Sequence, residues 1–189
     1  MAITEEPTDK PTFTDPEPIE TERLRLRMFR PDDVDQLAPF YADPEVMKWM
    51  STGQPVPRER VEMAIPRIIQ RFRENGFGLF AVELKDGNTL IGQCGIFHLD
   101  NTPEVEVAYL FGRPYWGKGY ATEAAAAVRD FGFNVVGLPR LVGITRPDNV
   151  PSQRVLEKIG MRYERDAVYY NMDCKYFGMD RHEYEQREQ

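Results

Sequence analysis

Apolar and charged positions alternate from Leu24 to Met28, the period-two pattern of a half-buried strand. Pro31-Asp32-Asp33 then marks a helix start, with acids at the positive end of the dipole, and the helix runs on through Val34, Leu37, Phe40 and Tyr41. A short helical piece is expected around Pro44–Met47. Between Arg58 and Asn75 the apolar residues Val61, Ala64, Ile65, Ile68, Ile69 and Phe72 share one helical face, and Gly76 ends it. Leu79–Leu84 and Leu90–Phe97 read as strands, with Asp86-Gly87 between them as a hairpin signal. Val105–Phe111 is the next strand and Tyr120 to about Val135 a helix. Arg140–Thr145 is a strand, Pro151–Ile159 a helix with Gly160 just beyond, Met161–Met172 a strand, and Lys175–Met179 a final edge strand. A meander followed by alternating helix and strand predicts a mixed α/β sheet. There is no internal repeat and no sign of a second domain. Residues 1–18, rich in Pro, Thr, Asp and Glu, read as a flexible tail, and residues 19–189 as one domain.

Composition narrows the classes. The chain has 189 residues with 41% hydrophobic and 29% charged content, as expected for a packed soluble domain. No apolar run approaches the ~18–20 residues of a membrane span, and the first residues lack the basic and apolar regions of a secretory signal. A formal charge of −7 argues against a general nucleic-acid binder. It is compatible with a cationic partner, although an acidic surface more often serves solubility. Cys94 and Cys174 have no metal-ligand spacing, so reduced thiols, a cytoplasmic location and no metal are expected.

The richest segment is Tyr109–Ala124, a strand, a glycine-hinged loop and an alanine-rich helix. An ordinary strand-to-helix connection would look much the same. Gly112 to Gly119 nearly spells a nucleotide P-loop, but Gly119 stands where a Ser or Thr must hold Mg²⁺. The three-glycine dinucleotide fingerprint is also absent. A metal-free pyrophosphate cradle remains: Gly117 and Gly119 allow positive φ, and the N–H groups of Gly117, Lys118, Gly119, Tyr120, Ala121 and Thr122 can converge on an anion, backed by the helix dipole.

This segment resembles the acetyl-CoA-binding motif of the GCN5-related N-acetyltransferases (GNAT), whose pattern is Gln or Arg, two residues, Gly, one residue, then Gly or Ala. It falls on Trp116-Gly117-Lys118-Gly119-Tyr120-Ala121, with Trp116 replacing the usual Gln or Arg. The longer run from Glu106 to Ala124, the Glu20–Arg27 segment and Asn149–Met161 are similar to the branch of ribosomal-protein N-terminal Ala/Ser acetyltransferases. The resemblance covers residues 20–184. It implies a single mixed, mostly antiparallel, splayed sheet with helices on both faces, and acetyl-CoA as cosubstrate. It also implies direct acetyl transfer to a primary amine, a protein N-terminus or a small molecule, by a monomer or homodimer. A non-catalytic acyl-CoA-binding or regulatory module is the alternative.

Attack on a thioester needs a neutral amine, and a carboxylate with an ordered water would serve as base. Glu106 is the first candidate and Glu104, on the same strand face, the second; a solvated strand face would explain both equally. By the resemblance, a backbone N–H in the region of Tyr109, Leu110 and Phe111 stabilises the oxyanion. Relatives protonate the leaving thiolate with a tyrosine, where this chain has Leu156; Ser152 matches the serine proposed for that role in the ribosomal-protein branch. Asn149 is either a helix cap, a pantetheine contact or both. Trp49, Met50, Tyr169 and Tyr170 are candidates for the acceptor pocket, against the commoner role of aromatics as core. His98 and His182 read as structural.

Overall fold

The computed structural model describes residues 15–50 and 52–187. Eight strands form one open sheet: β1 (Ile19–Glu20), β2 (Leu24–Arg27), β3 (Leu79–Leu84), β4 (Leu90–His98), β5 (Val105–Phe111), β6 (Arg140–Thr145), β7 (Arg162–Tyr169) and β8 (Met172–Asp180). Their spatial order is β1-β2-β3-β4-β5-β6-β8-β7. Every neighbouring pair is antiparallel except β5 and β6. The helices are α1 (Val34–Ala42), α2 (Pro44–Met47), α3 (Arg58–Asn75), α4 (Tyr120–Asn134), α5 (Val150–Lys158) and α6 (Arg181–Arg187).

Helices cover both faces, as the mixed-sheet reading requires. On one face Leu37 of α1 and Val61 and Ile65 of α3 pack on Ala81 and Leu90. On the other, Ala124, Ala125 and Val128 of α4 and Leu156 of α5 pack with Val107, Phe111 and Leu141. The alanines keep α4 slim, so it lies close against β4 and β5. Coverage on both faces also changes β2. Alternation predicts a solvated Arg27, yet it is buried, and its guanidinium binds Asp33 (2.7 and 2.8 Å) and Glu83 (2.8 Å to Nε). A buried charge is tolerable only when paired in this way.

The C-terminal region departs from expectation. The strand expected over Met161–Met172 is β7 but ends at Tyr169, because the chain reverses at Tyr170 (φ 51°) and Asn171 (φ 57°), and Met172 already opens β8. Two consecutive left-handed residues make the tight turn that suits strand twist. A tyrosine there gives no turn signal in sequence. The segment Lys175–Met179 is not an edge strand either: β8 sits between β6 and β7, with Cys174, Tyr176, Phe177 and Met179 buried, and the exposed β7 forms the edge. The short β1 and the closing α6 have no clear sequence signal. Of the tail expected over residues 1–18, residues 1–14 lie outside the described residues. Asp15 lies against α3, with Arg73 Nε and Nη2 at 3.2 and 3.3 Å.

Candidate active site

The cradle is built by the link from β5 to α4. A single 3-10 turn (Arg113–Tyr115) follows β5, and Gly119 caps α4 with φ 83°. Gly117 also has positive φ, 72°, and a Cβ added there would meet only open space, so the loop keeps a bare backbone surface. Among the described residues, none of the six N–H groups of residues 117–122 donates to a protein acceptor. Six free donors at a helix N-terminus suit an anion such as a pyrophosphate. Trp116 turns back instead of reaching outward: its indole Nε1 donates to Phe111 O at 2.7 Å. A tie absent from sequence reasoning holds the loop in place. Arg23 binds Glu123 through Nε at 2.7 Å and the Lys118 carbonyl through Nη1 at 3.0 Å, and it lies over the Tyr120 ring at 4.6 Å. Thr21 Oγ1 donates to the same Glu123 at 2.6 Å. Glu123, read from sequence as a dipole partner, thus also anchors the start of α4 to the start of β2.

Strands β5 and β6 share one register pair, Glu106 with Val142, and diverge beyond it. Gly112 N–H donates to Ile91 O at 3.0 Å, and Leu110 lies opposite Gln93. Alternation along an antiparallel ladder therefore turns the backbone groups of Leu110 to β4 and those of Tyr109 and Phe111 into the opening. Of the three residues named for an oxyanion contact, Tyr109 and Phe111 have the suitable orientation and Leu110 does not.

Side chains on β5 divide between the faces. Glu106 is buried, with 4% of its surface exposed, and Tyr170 Oη donates to its Oε1 at 3.0 Å. Its Oε2 has no hydrogen-bond partner among the described residues. Burial pushes the carboxyl up to about 7; the Tyr170 hydrogen bond opposes this and the nearby Asp100 charge adds to it. Glu104 receives Tyr169 Oη at 3.2 Å on one oxygen and Tyr176 Oη on the other, so both its oxygens are engaged. Tyr170 reaches Glu106 because of the strained turn, and Asp100 holds it there: Asp100 N–H donates to Tyr170 Oη at 2.7 Å and Tyr170 N–H to Asp100 Oδ2 at 3.1 Å. Tyr169, by contrast, stacks near Tyr176 in the sheet.

On the other face, α5 presents Ser152. Asn149 caps the helix, accepting from Ser152 N–H at 3.3 Å, with Pro151 in the first turn. Ser152 Oγ lies 2.9 Å from Tyr109 Oη, which also donates to the Ser152 carbonyl at 3.1 Å. Leu156 is fully buried in the core. The side-chain role of Tyr109 escaped sequence reasoning, although alternation from Val107 and Phe111 could have set it on this face. Thr145 Oγ1 is buried without a partner among the described residues, on the side of β6 where Gly143 meets Leu156.

A cavity of about 390 Å³ opens at the end of β6, lined by Lys48, Trp49, Arg146, Pro147, Asp148 and Asp173. Trp49 thus borders a pocket, whereas Met50 packs against the cluster of Val46, Met47 and Leu110. His98 meets Phe77 edge-on and His182 contacts Gln186. Both cysteines are buried and free. Among the described residues, no group of His, Cys, Asp or Glu has the proximity to hold a metal, and no helix is long and apolar enough to cross a membrane.

A mixed sheet that splays beside an anion cradle at a helix N-terminus defines an acyl-CoA-dependent acyltransferase. Residues 23–162 match the acetyltransferase (GNAT) domain model, and the chain belongs to that family. It is 38% identical over 158 residues to the uncharacterized protein YkkB of Bacillus subtilis (strain 168), covering 80% of this chain and 88% of that one. The acetyltransferase (GNAT family) structure from Bacillus anthracis is 30% identical with a TM-score of 0.76, covering 87% and 99% of the two chains. A ribosomal-protein alanine acetyltransferase from Vibrio fischeri shares the fold, with a TM-score of 0.70 at 21% identity over 87% and 96%. The protein is therefore an N-acetyltransferase of the GNAT family, with acetyl-CoA as its donor.

Proposed function

We propose that this enzyme transfers the acetyl group of acetyl-CoA directly to a primary amine in a ternary complex. Six unengaged N–H groups of residues 117–122 stand beside the opening between β5 and β6, and this observation carries the reading. The cradle holds the pyrophosphate, Asn149 and Ser152 border the pantetheine arm, and the N–H groups of Tyr109 and Phe111 face the thioester carbonyl. Glu106, entering from the opposite face, takes the amine proton directly or through a water. A carboxyl near 7 is ionised in about half the molecules at neutral pH and still basic enough to accept a proton. It matches an α-amino group, pKa ~8, better than a lysine-like amine, pKa ~10.4. A peptide N-terminus or a small amine of similar basicity is thus the favoured acceptor. The cavity lined by Trp49, Asp148 and Asp173 offers room for its flanking groups. Ser152 donates a hydrogen bond to the departing sulfur.

The test joins binding to turnover. Calorimetry with acetyl-CoA gives a micromolar to millimolar dissociation constant, and thiol release with a panel of N-terminal peptides and small amines identifies the acceptor class. Absence of acetyl-CoA binding would overturn the reading. Binding with CoA release for no primary amine would overturn the transfer step alone.

A further inference from the structure

The GNAT tyrosine that would serve the leaving sulfur is replaced here by Leu156, buried against Gly143 and unable to donate. A different tyrosine reaches the same helix, one turn earlier, from the opposite side of the opening. Tyr109 belongs to β5 and Ser152 to the first turn of α5, yet their hydroxyl oxygens are 2.9 Å apart. We propose that Tyr109 is a positioning residue for the leaving group: its hydroxyl engages Ser152 Oγ and turns the serine's own proton toward the sulfur of the acyl donor. The inference rests on the acetyl-transfer reading and deepens it.

A serine hydroxyl has one hydrogen and two acceptor positions. Without a neighbour, that hydrogen is free to turn to any nearby carbonyl of α5. The Tyr109 hydroxyl sits within reach of both Ser152 Oγ and the Ser152 carbonyl, 3.1 Å away. When it donates to Ser152 Oγ, the contact between the two hydroxyls is made with the tyrosine's hydrogen, and the serine hydrogen is left for a third partner. Burial pushes the Tyr109 phenol above its usual range, so it stays a neutral donor across the working pH range. The side chain that steers the serine also belongs to the residue whose backbone faces the thioester, which couples the leaving-group contact to the oxyanion contact. The transfer balances without a proton from either hydroxyl. The nitrogen–carbon bond forms, the carbon–sulfur bond breaks with its electron pair going to sulfur, and the proton lost by the amine through Glu106 is the one the CoA thiol finally gains. Tyr109 and Ser152 only stabilise the thiolate before that proton arrives.

A test of this role needs no acceptor. CoA and desulfo-CoA are bound to the wild type, Tyr109→Phe, Ser152→Ala and the double variant, and the bound thiol is titrated by its ultraviolet thiolate absorbance. The wild type is expected to hold the thiol below its free value of ~8.5. Each single variant raises it by about half to one unit, the worth of one hydrogen bond. The double variant matches Ser152→Ala because the two hydroxyls act as one unit, and desulfo-CoA affinity stays within about twofold throughout. A Tyr109→Phe titration equal to wild type, additive shifts, or equal losses for CoA and desulfo-CoA would each overturn the proposal. If Tyr109→Phe does not fold, Ser152→Ala decides: a bound thiol unmoved by losing the serine leaves Tyr109 nothing to position. Wild type that binds neither ligand would overturn the cofactor reading itself, a different result from a wild type that binds while Tyr109 proves idle.

Discussion

Replacing Glu106 by glutamine should make the protein more stable at neutral pH and above while slowing acetyl transfer. The carboxyl is buried and its pKa is raised from 4.5 to about 7. In the unfolded chain it ionises near 4.5. Between these values the folded state holds a proton that the unfolded state has lost, so unfolding releases a proton and stability falls as pH rises. Above about 7 the loss is complete. A difference of about 2.5 units at 1.36 kcal/mol per unit is about 3 kcal/mol. Glutamine avoids this loss and keeps an acceptor for Tyr170, but its amide NH₂ gains no obvious protein acceptor, which costs about 1 kcal/mol. The expected net gain is about 2 kcal/mol near pH 8, or about 4–8 °C in Tm for a chain of this size. Near pH 4, where Glu106 is neutral in both states, the gain disappears and a small deficit is expected. Urea unfolding of wild type and Glu106→Gln at both pH values measures this, alongside kcat and acetyl-CoA affinity. A stability difference that does not change between the two pH values would refute the raised carboxyl. Unchanged kcat would remove Glu106 from the base role. A site that gives up stability in this way fits the rule that strongly shifted groups cluster where chemistry is done.

Two further outcomes follow from the same geometry. Tyr170→Phe removes the hydrogen bond that holds Glu106 down, so its pKa rises further and the acid limb of the kcat/KM profile moves to higher pH by about half a unit; an unmoved limb would separate Tyr170 from the base. Gly119→Asp places a carboxylate among the donors proposed to hold the pyrophosphate, at a residue with φ 83°, and should abolish acetyl-CoA binding in calorimetry while lowering stability by only about 1 kcal/mol; retained binding would move the cradle elsewhere.

The central strand and its two flanking helices were legible in sequence because each carries a local signal that no distant contact overrides. β5 reads directly from alternation, α4 begins where Gly119 allows the turn, and α5 begins at an asparagine cap followed by proline. The end of the Met161–Met172 strand was not legible. Its reversal uses Tyr170 and Asn171 rather than glycine, and the positive φ of Tyr170 is sustained by Asp100, a residue on a separate loop. Asn171 tolerates positive φ, but Tyr170 is not a turn residue, and its conformation depends on a partner outside the turn. The edge assignment of Lys175–Met179 failed for a related reason: edge or interior is decided by which strand lies alongside, and the register with β6 and β7 joins distant segments.

The same distinction applies within the site. Local chain chemistry is enough to specify the glycine loop, the helix starts and the candidate acids Glu104 and Glu106, because backbone freedom, capping and charge are properties of neighbouring residues. Residue types alone could not separate the two acids. Only the tertiary structure places two tyrosines on Glu104 and one on Glu106, and only burial raises Glu106 to about 7. The anchoring of the cradle by Arg23 and Glu123, and the meeting of Tyr109 with Ser152, also exist only once β2, β5, α4 and α5 are packed. Local sequence determined the glycine loop and helix starts of the proposed donor cradle, while dielectric and hydrogen-bond partners, which depend on the whole chain, decided which acid is shifted and which is fully engaged.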